Sequence, residues 1–239
     1  GSDGSGVMNF LNCLLGMVGG RSTQTRRTFV VLGCPRGGTS LVAGALHAAG
    51  VYMGNLGNYY QYEDCDFKIP PKQANQALET LAPVIRRRNR KYPYWGWKLP
   101  NNIYYIEQVR HLLVEPCYLF IYRDPLRIAQ SSARHDRRDW SAVGDRLLEV
   151  AQEHTRRVRQ FQDSLSSVSP VPDLHEFHLE AIHANPQSFV DQLIAILDPL
   201  RPDRERLLGF INREGDYHHP TPIEYLIAKI RSLYYRRVL

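Results

Sequence analysis

The sequence predicts an α/β fold of three layers, with a mostly parallel central sheet between two sets of helices. Three observations carry this. The apolar run Val30-Val31-Leu32 leads through a glycine-rich turn into a pattern of helical period, and Tyr118-Leu119-Phe120-Ile121-Tyr122 does the same through a shorter turn. Two further runs of strand composition, Tyr94 to Lys98 and Leu174 to Leu179, alternate with stretches of helical pattern, as parallel strands joined by crossover helices require. The 239 residues suit one α/β domain with a sizeable core.

Residues 1–25 read as a cloning scar, Gly1 to Gly6, followed by an N-terminal extension, and residues 26–239 as a single domain. Val7 to Val18 is too short, and too interrupted by Asn9, Asn12 and Gly16, to span a bilayer. An amphipathic segment docked on the domain fits it better. The sequence leaves open whether a longer natural N terminus preceded it.

The first strand runs into Gly33-Cys34-Pro35-Arg36-Gly37-Gly38-Thr39-Ser40, after which Leu41, Ala45, Leu46 and Ala49 recur at helical spacing. Between strand and helix, backbone N–H groups, the positive end of the helix dipole and the Thr39 and Ser40 hydroxyls converge on one concavity suited to phosphate or sulfate. Gly33 to Gly38 has the spacing of a nucleotide-binding loop, but Thr39 stands where that loop needs Lys and the charge sits at Arg36. A plain glycine turn is the competing reading.

Downstream, Asn55 to Asp66 has no clear period and reads as a loop bearing Glu63, Asp64 and Asp66, the two aspartates as helix caps. Lys72 to Arg88 is helical in composition, with Pro83 expected to kink or split it, and reads as a lid. The aromatic strand Tyr94-Trp95-Gly96-Trp97 ends in Lys98, and a strand-end lysine at the carboxyl edge of a parallel sheet points toward the crevice where ligands bind. Its alternative is an interfacial lysine with a buried stem. Asn101 to Leu113 reads as a helix.

In the second strand–turn–helix unit Arg123 ends the strand, Pro125 enters the first helical turn and Ser131 follows eight positions after the arginine. The planar fork of an arginine and a helix-borne hydroxyl together suit one phosphate group. A surface Arg-Asp turn with a helix cap competes. Trp140 to Phe161 is amphipathic through Val143, Leu147, Val150, Ala151 and Val158, and Asn185-Pro186 opens a helix through Leu197. His175, His178 and His183 read as strand and turn residues, with no cysteine or paired carboxylate to complete a metal set. Tyr225 to Val238 reads as a terminal helix.

A net charge of +6 favours anionic partners, and no basic and aromatic stripe argues for nucleic acid. The runs Arg86 to Lys91 and Arg134 to Arg138 read as solvated helix ends, with acceptor or membrane binding as the alternative. Cys13, Cys34, Cys65 and Cys117 show no paired or metal spacing, and no Asn-x-Ser/Thr acceptor occurs, which points to reduced thiols and a cytoplasmic setting.

Pro35-Arg36-Gly37-Gly38-Thr39-Ser40 resembles the 5′-phosphosulfate loop of sulfotransferases that use 3′-phosphoadenosine 5′-phosphosulfate (PAPS), and the pair Arg123 and Ser131 resembles their 3′-phosphate site. Trp95-Gly96-Trp97-Lys98-Leu99-Pro100 is similar to their Trp-Gly-Trp-Lys-Asp-Pro, with Leu99 in place of Asp, and Tyr62-Glu63-Asp64 to an aromatic-Glu-Asp pattern. Glu180 with Asn185-Pro186 resembles a segment late in those domains. The resemblance implies a P-loop NTPase-like fold and PAPS as donor, with adenosine 3′,5′-bisphosphate (PAP) as product. It implies nucleotide binding by Pro35, Arg36, Gly37, Gly38, Thr39, Ser40, Arg123 and Ser131, with no metal. Sulfuryl transfer in line to a hydroxyl or amine of a small-molecule or glycan acceptor follows, with Glu63 as general base, against a helix-capping or solvated acid, and Lys98 and Arg36 on the leaving group. Arg213, His218 and His219 read as part of a plain polar loop, with the family's late loop closing over the adenosine and acceptor as the competing reading. The rival functions are a P-loop small-molecule kinase and a non-catalytic nucleotide-binding protein. The acceptor is shaped by residues 52–92, and oligomeric state is not legible.

Overall fold

Four runs of β-branched and aromatic residues form one sheet in the computed structural model, which describes residues 25–58 and 61–214. They are β1 (Arg27–Gly33), β4 (Tyr94–Lys98), β5 (Pro116–Tyr122) and β6 (Asp173–His178), in the spatial order β4-β1-β5-β6 and parallel throughout. A separate antiparallel pair, β2 (Leu56–Asn58) and β3 (Glu63–Asp64), lies within the stretch expected to be loop.

Alternation along the strands divides the core into two layers. Phe29, Val31, Cys117, Leu119 and Ile121 face α1 (Thr39–Ala48), α7 (Pro186–Ile196) and α8 (Arg204–Glu214). Val30, Leu32, Trp95, Trp97, Tyr118 and Phe120 face α2 (Ala77–Lys91), the single turn α3 (Ile106–Val109) and α5 (Trp140–Ser166). Among the described residues the remaining α-helices are α4 (Pro125–His135) and α6 (Leu179–Ala184). This is the predicted three-layer arrangement.

Several local expectations are corrected. Pro83 does not split its helix: α2 continues from Ala77 through Lys91, and a 3₁₀ stretch, Pro71–Gln76, precedes it. Leu81, Ile85 and Ala77 are buried against the sheet, so this helix is a core element. Asn101 to Leu113 is a succession of short turns, Pro100–Tyr104, α3 and Arg110–Leu112, in place of one helix. In α5 the buried stripe is Gly144, Ala151, His154, Val158, Phe161 and Leu165, whereas Val150 is exposed. The scar, the segment Val7 to Val18, Cys13, His218, His219 and the terminal helix lie outside the described residues, as does the Arg213 side chain.

Candidate active site

Parallel pairing brings the carboxyl ends of β4, β1 and β5 to one edge of the sheet, so the turns beginning at Leu99, Cys34 and Arg123 are neighbours. At the central turn Gly38 has φ +97, a conformation open to glycine, and a Cβ added there would meet Leu179 at 2.6 Å. Arg36 also has positive φ, at 64°, which a non-glycine residue adopts at some cost. The Gly37 N–H closes the turn on the Cys34 carbonyl at 2.9 Å. Helix α1 begins with Thr39, which is buried, and Ser40, whose hydroxyl donates to the Gln61 carbonyl at 3.3 Å. Pro35 is half-buried in the same turn.

The residues expected to hold the nucleotide are drawn together from two turns. Arg36 Nε donates to Ser131 Oγ at 3.3 Å, and Arg123 Nη1 donates to the Arg36 carbonyl at 2.9 Å. Asp124 caps α4 by accepting from the Arg127 N–H, and Pro125 occupies the first turn, which aims the helix so that Ser131 faces inward. Arg123 Nε is buried and makes no hydrogen bond, with Glu180 Oε1 in ion-pair range at 3.6 Å.

A second pair lies at the end of β4. Lys98 Nζ is 3.5 Å from Glu63 Oε1. The lysine side chain is 2% exposed and the glutamate 24% exposed, so the carboxylate is the more open of the two. Burial lowers the Lys98 pKa to about 8, the nearby Arg36 charge pushes the same way, and Glu63 opposes both. That coupling ties the two pairs into one electrostatic unit.

Asp64 and Asp66 are more than caps. Asp64 does cap the 3₁₀ turn Cys65–Phe67, but it is fully buried and paired with Arg88, which also reaches Asp66 Oδ2 at 2.7 Å. Arg88 therefore departs from the expected solvated run: it is buried, although Arg86 and Arg87 beside it are exposed. Burial works against its charge, and the hydrogen bonds and charge of Asp64 outweigh it, raising the pKa of Arg88.

The structure adds two side chains that sequence reasoning did not single out. Asn102 Nδ2 donates to the Val31 carbonyl at 2.9 Å and binds the turn after Lys98 to the central strand. His154, buried in α5 edge-on to Tyr104, is held to a lowered pKa by burial. The double Asn at 101 and 102 was a signal for the first, since a buried turn needs side-chain partners for its backbone. Contrary to the sequence expectation, His175 does have a cysteine and a carboxylate beside it: pairing of β5 with β6 sets Cys117 and Asp173 next to it, their ligand atoms within 4.8 Å of one another. Asp173 is also engaged by Arg27.

Fold and site together define a parallel α/β protein with Arg36, Lys98 and Arg123 gathered at the carboxyl edge of its sheet. The chain belongs to the sulfotransferase family, whose family model matches residues 63–200, more than half of the sequence. The matched span takes in Glu63, Lys98, Arg123 and Ser131 and begins after the turn at Arg36. No curated protein matches. Among solved structures the chain is similar to the sulfotransferase domain from the curacin biosynthetic pathway, at 14% identity over 89% of this chain and 98% of that one, TM-score 0.48. A sulfotransferase from Mycobacterium avium aligns at 11% identity over 90% and 73%, TM-score 0.48. The sulfotransferase domain of the Synechococcus PCC 7002 olefin synthase aligns at 14% over 89% and 95%, also 0.48. The family assignment rests on the matched span. Among the described residues no helix is long and apolar enough to cross a membrane.

Proposed function

We propose that the protein transfers a sulfuryl group from PAPS to a hydroxyl or amine of a small-molecule acceptor. The observation that carries this reading is the convergence of Arg36, Arg123 and Ser131 beside the Lys98–Glu63 pair. A nucleotide with a 3′-phosphate suits that convergence, because buried Arg123 Nε lacks a hydrogen-bond acceptor and a phosphate oxygen is one. The cradle at Gly37, Gly38, Thr39 and Ser40 holds the 5′ end, and Arg123 with Ser131 holds the 3′-phosphate.

PAPS supplies an activated sulfuryl group on a good leaving phosphate. Glu63 takes the proton from an acceptor hydroxyl as its oxygen bonds to sulfur, and it is the more solvent-open member of its pair, where an acceptor enters. Lys98 and Arg36 face the opposite need. They stabilise negative charge on the phosphate oxygen released as its bond to sulfur breaks, Lys98 from a buried position and Arg36 from the turn after β1. The acceptor stands on the side of the β2–β3 hairpin.

The test is which phosphate the protein reads. PAP should raise the melting temperature without added metal, well beyond ADP or 5′-AMP at equal concentration, since a hundredfold excess over Kd stabilises by about 2.7 kcal/mol. Arg123→Ala should erase most of that preference. The reading fails if ADP with magnesium stabilises as well as PAP, which is the behaviour of a kinase, or if Arg123→Ala weakens both ligands alike.

A further inference from the structure

Arg88 is a buried charge that neither pair of site residues uses. Its side chain is 2% exposed and that of its partner Asp64 is 0% exposed. Two ions taken out of water lose several kcal/mol of solvation each, so such a pair survives only with close to complete hydrogen bonding. Arg88 has it. Nη1 and Nη2 reach both oxygens of Asp64, Nη2 also donates to Asp66 Oδ2, and the guanidinium lies over the rings of Phe67, Tyr52 and Trp95 at 4.9, 5.5 and 5.6 Å.

Gly54, Asn55 and Asp66 close on the same carboxylate. Asp64 Oδ1 accepts the backbone N–H of Asn55 and of Asp66, both at 3.1 Å. Gly54, at φ +90, passes so close that an added Cβ would sit 2.0 Å from Asp64 Oδ2. Asp64 and Glu63 are the two residues of β3, and neighbours in a strand point to opposite sides. Fixing Asp64 inward therefore presents Glu63 on the other side, where it meets Lys98.

We propose that Arg88 is a positioning residue for Glu63, holding Asp64 and Asp66 and through them the short strand that presents the carboxylate to Lys98. It touches neither donor nor acceptor. The inference rests on the reading of Glu63 and Lys98 as reacting groups for its kinetic consequence, but the geometric part stands apart from it. Two carboxylates on one cation call for the planar fork of arginine, which a lysine ammonium does not reproduce.

The decisive variant is Arg88→Lys in the full chain, which keeps the charge and loses the double grip. Turnover should fall about 10- to 100-fold, as misplacement of a reacting group by about 1 Å does, while PAP affinity and the KM for PAPS stay within twofold of the parent. Arg88→Met/Asp64→Asn, which leaves no lone buried charge, should behave the same way and serves if the first variant fails to fold. A second readout needs no activity: titration of Lys98 by NMR of the ¹³C-labelled lysine side chain. The charges facing Lys98 are Glu63 and Arg36. Glu63→Gln should lower the Lys98 pKa, Arg88→Lys should move it the same way, and the two together should shift it no further than Glu63→Gln alone. A folded Arg88→Lys protein with parental turnover and parental Lys98 titration overturns the proposal, as do shifts that simply add. If the parent shows no sulfuryl transfer yet the Lys98 shifts are non-additive, the functional reading falls and the positioning role stands.

Discussion

Arg36 Nε and Ser131 Oγ lie 3.3 Å apart although 95 positions separate them in the chain. The contact joins the turn after β1 to the second turn of α4, so the two halves of the proposed nucleotide site are already in register. Ser131→Ala should weaken PAP by about 1 kcal/mol and leave 5′-AMP within experimental error, measured by calorimetry, because one neutral hydroxyl contact is lost from one phosphate only.

Glu63→Gln should lower turnover by about 100-fold or more, with PAP binding nearly intact, since a positioned base contributes about 10²–10⁴. The substitution keeps shape and removes the proton acceptor. Full activity would refute the assignment, and loss of activity in His135→Ala instead would move the base to the end of α4.

The pH behaviour of Lys98 has opposite signs for activity and stability. With its pKa lowered to about 8, the ammonium is lost as pH rises through 8, so turnover should show an alkaline limb there. The unfolded lysine titrates near 10.5, so between about pH 8 and 10.5 the unfolded chain binds more protons and stability contributed by this group rises with pH. Below pH 8 both states are protonated and the contribution is flat. Lys98→Met should remove the limb in rate profiles, flatten that part of the stability curve and depress the chemical step by ~3–4 kcal/mol. A limb that persists in Lys98→Met belongs to another group.

Arg88→Met alone should destabilise the protein by about 3–5 kcal/mol in urea unfolding, because it leaves Asp64 buried without its counter-charge. Adding Asp64→Asn should recover part of that loss. Gly54→Ala should also destabilise, since φ +90 strains an alanine and its Cβ collides with Asp64. If Gly54→Ala matches the parent, the loop is not folded tightly around Asp64.

What the sequence revealed depended on whether a feature was local. The strand–turn–helix units, the cap at Asp124, Pro125 in the first turn and the Asn185 cap are set by neighbouring residues and were legible. Lys98 at the carboxyl end of β4 was legible too, because strand-end position and burial both follow from the aromatic run before it. Arg88 was not. Within Arg86 to Lys91 every residue carries the same local signal of a solvated helix end, and only pairing with a carboxylate 24 positions earlier distinguishes one of them. The hairpin of β2 and β3 is a two- to three-residue pairing with no period to detect. The grouping of Cys117, Asp173 and His175 arises from strand register, which no spacing in the chain encodes.

The strand order β4-β1-β5-β6 also sorts the candidate site by stretches of chain. One flank is made from the turns after β1 and β5, which are far apart in sequence and locked to each other through Arg36, Arg123 and Ser131. The other flank, from Val51 through Lys98, is one continuous stretch of chain between α1 and the crossover to β5, and it includes the core helix α2 and the edge strand β4. It carries its own internal anchor at Arg88 and Asp64. Because α2 and β4 within it pack on Val30 and Leu32 of β1, this stretch is bound into the core and is not a detachable unit. Under the proposed function, a change of acceptor is accommodated within one contiguous stretch that carries its own ion pair, whereas the nucleotide side is assembled from two turns 87 positions apart and moves only if both do.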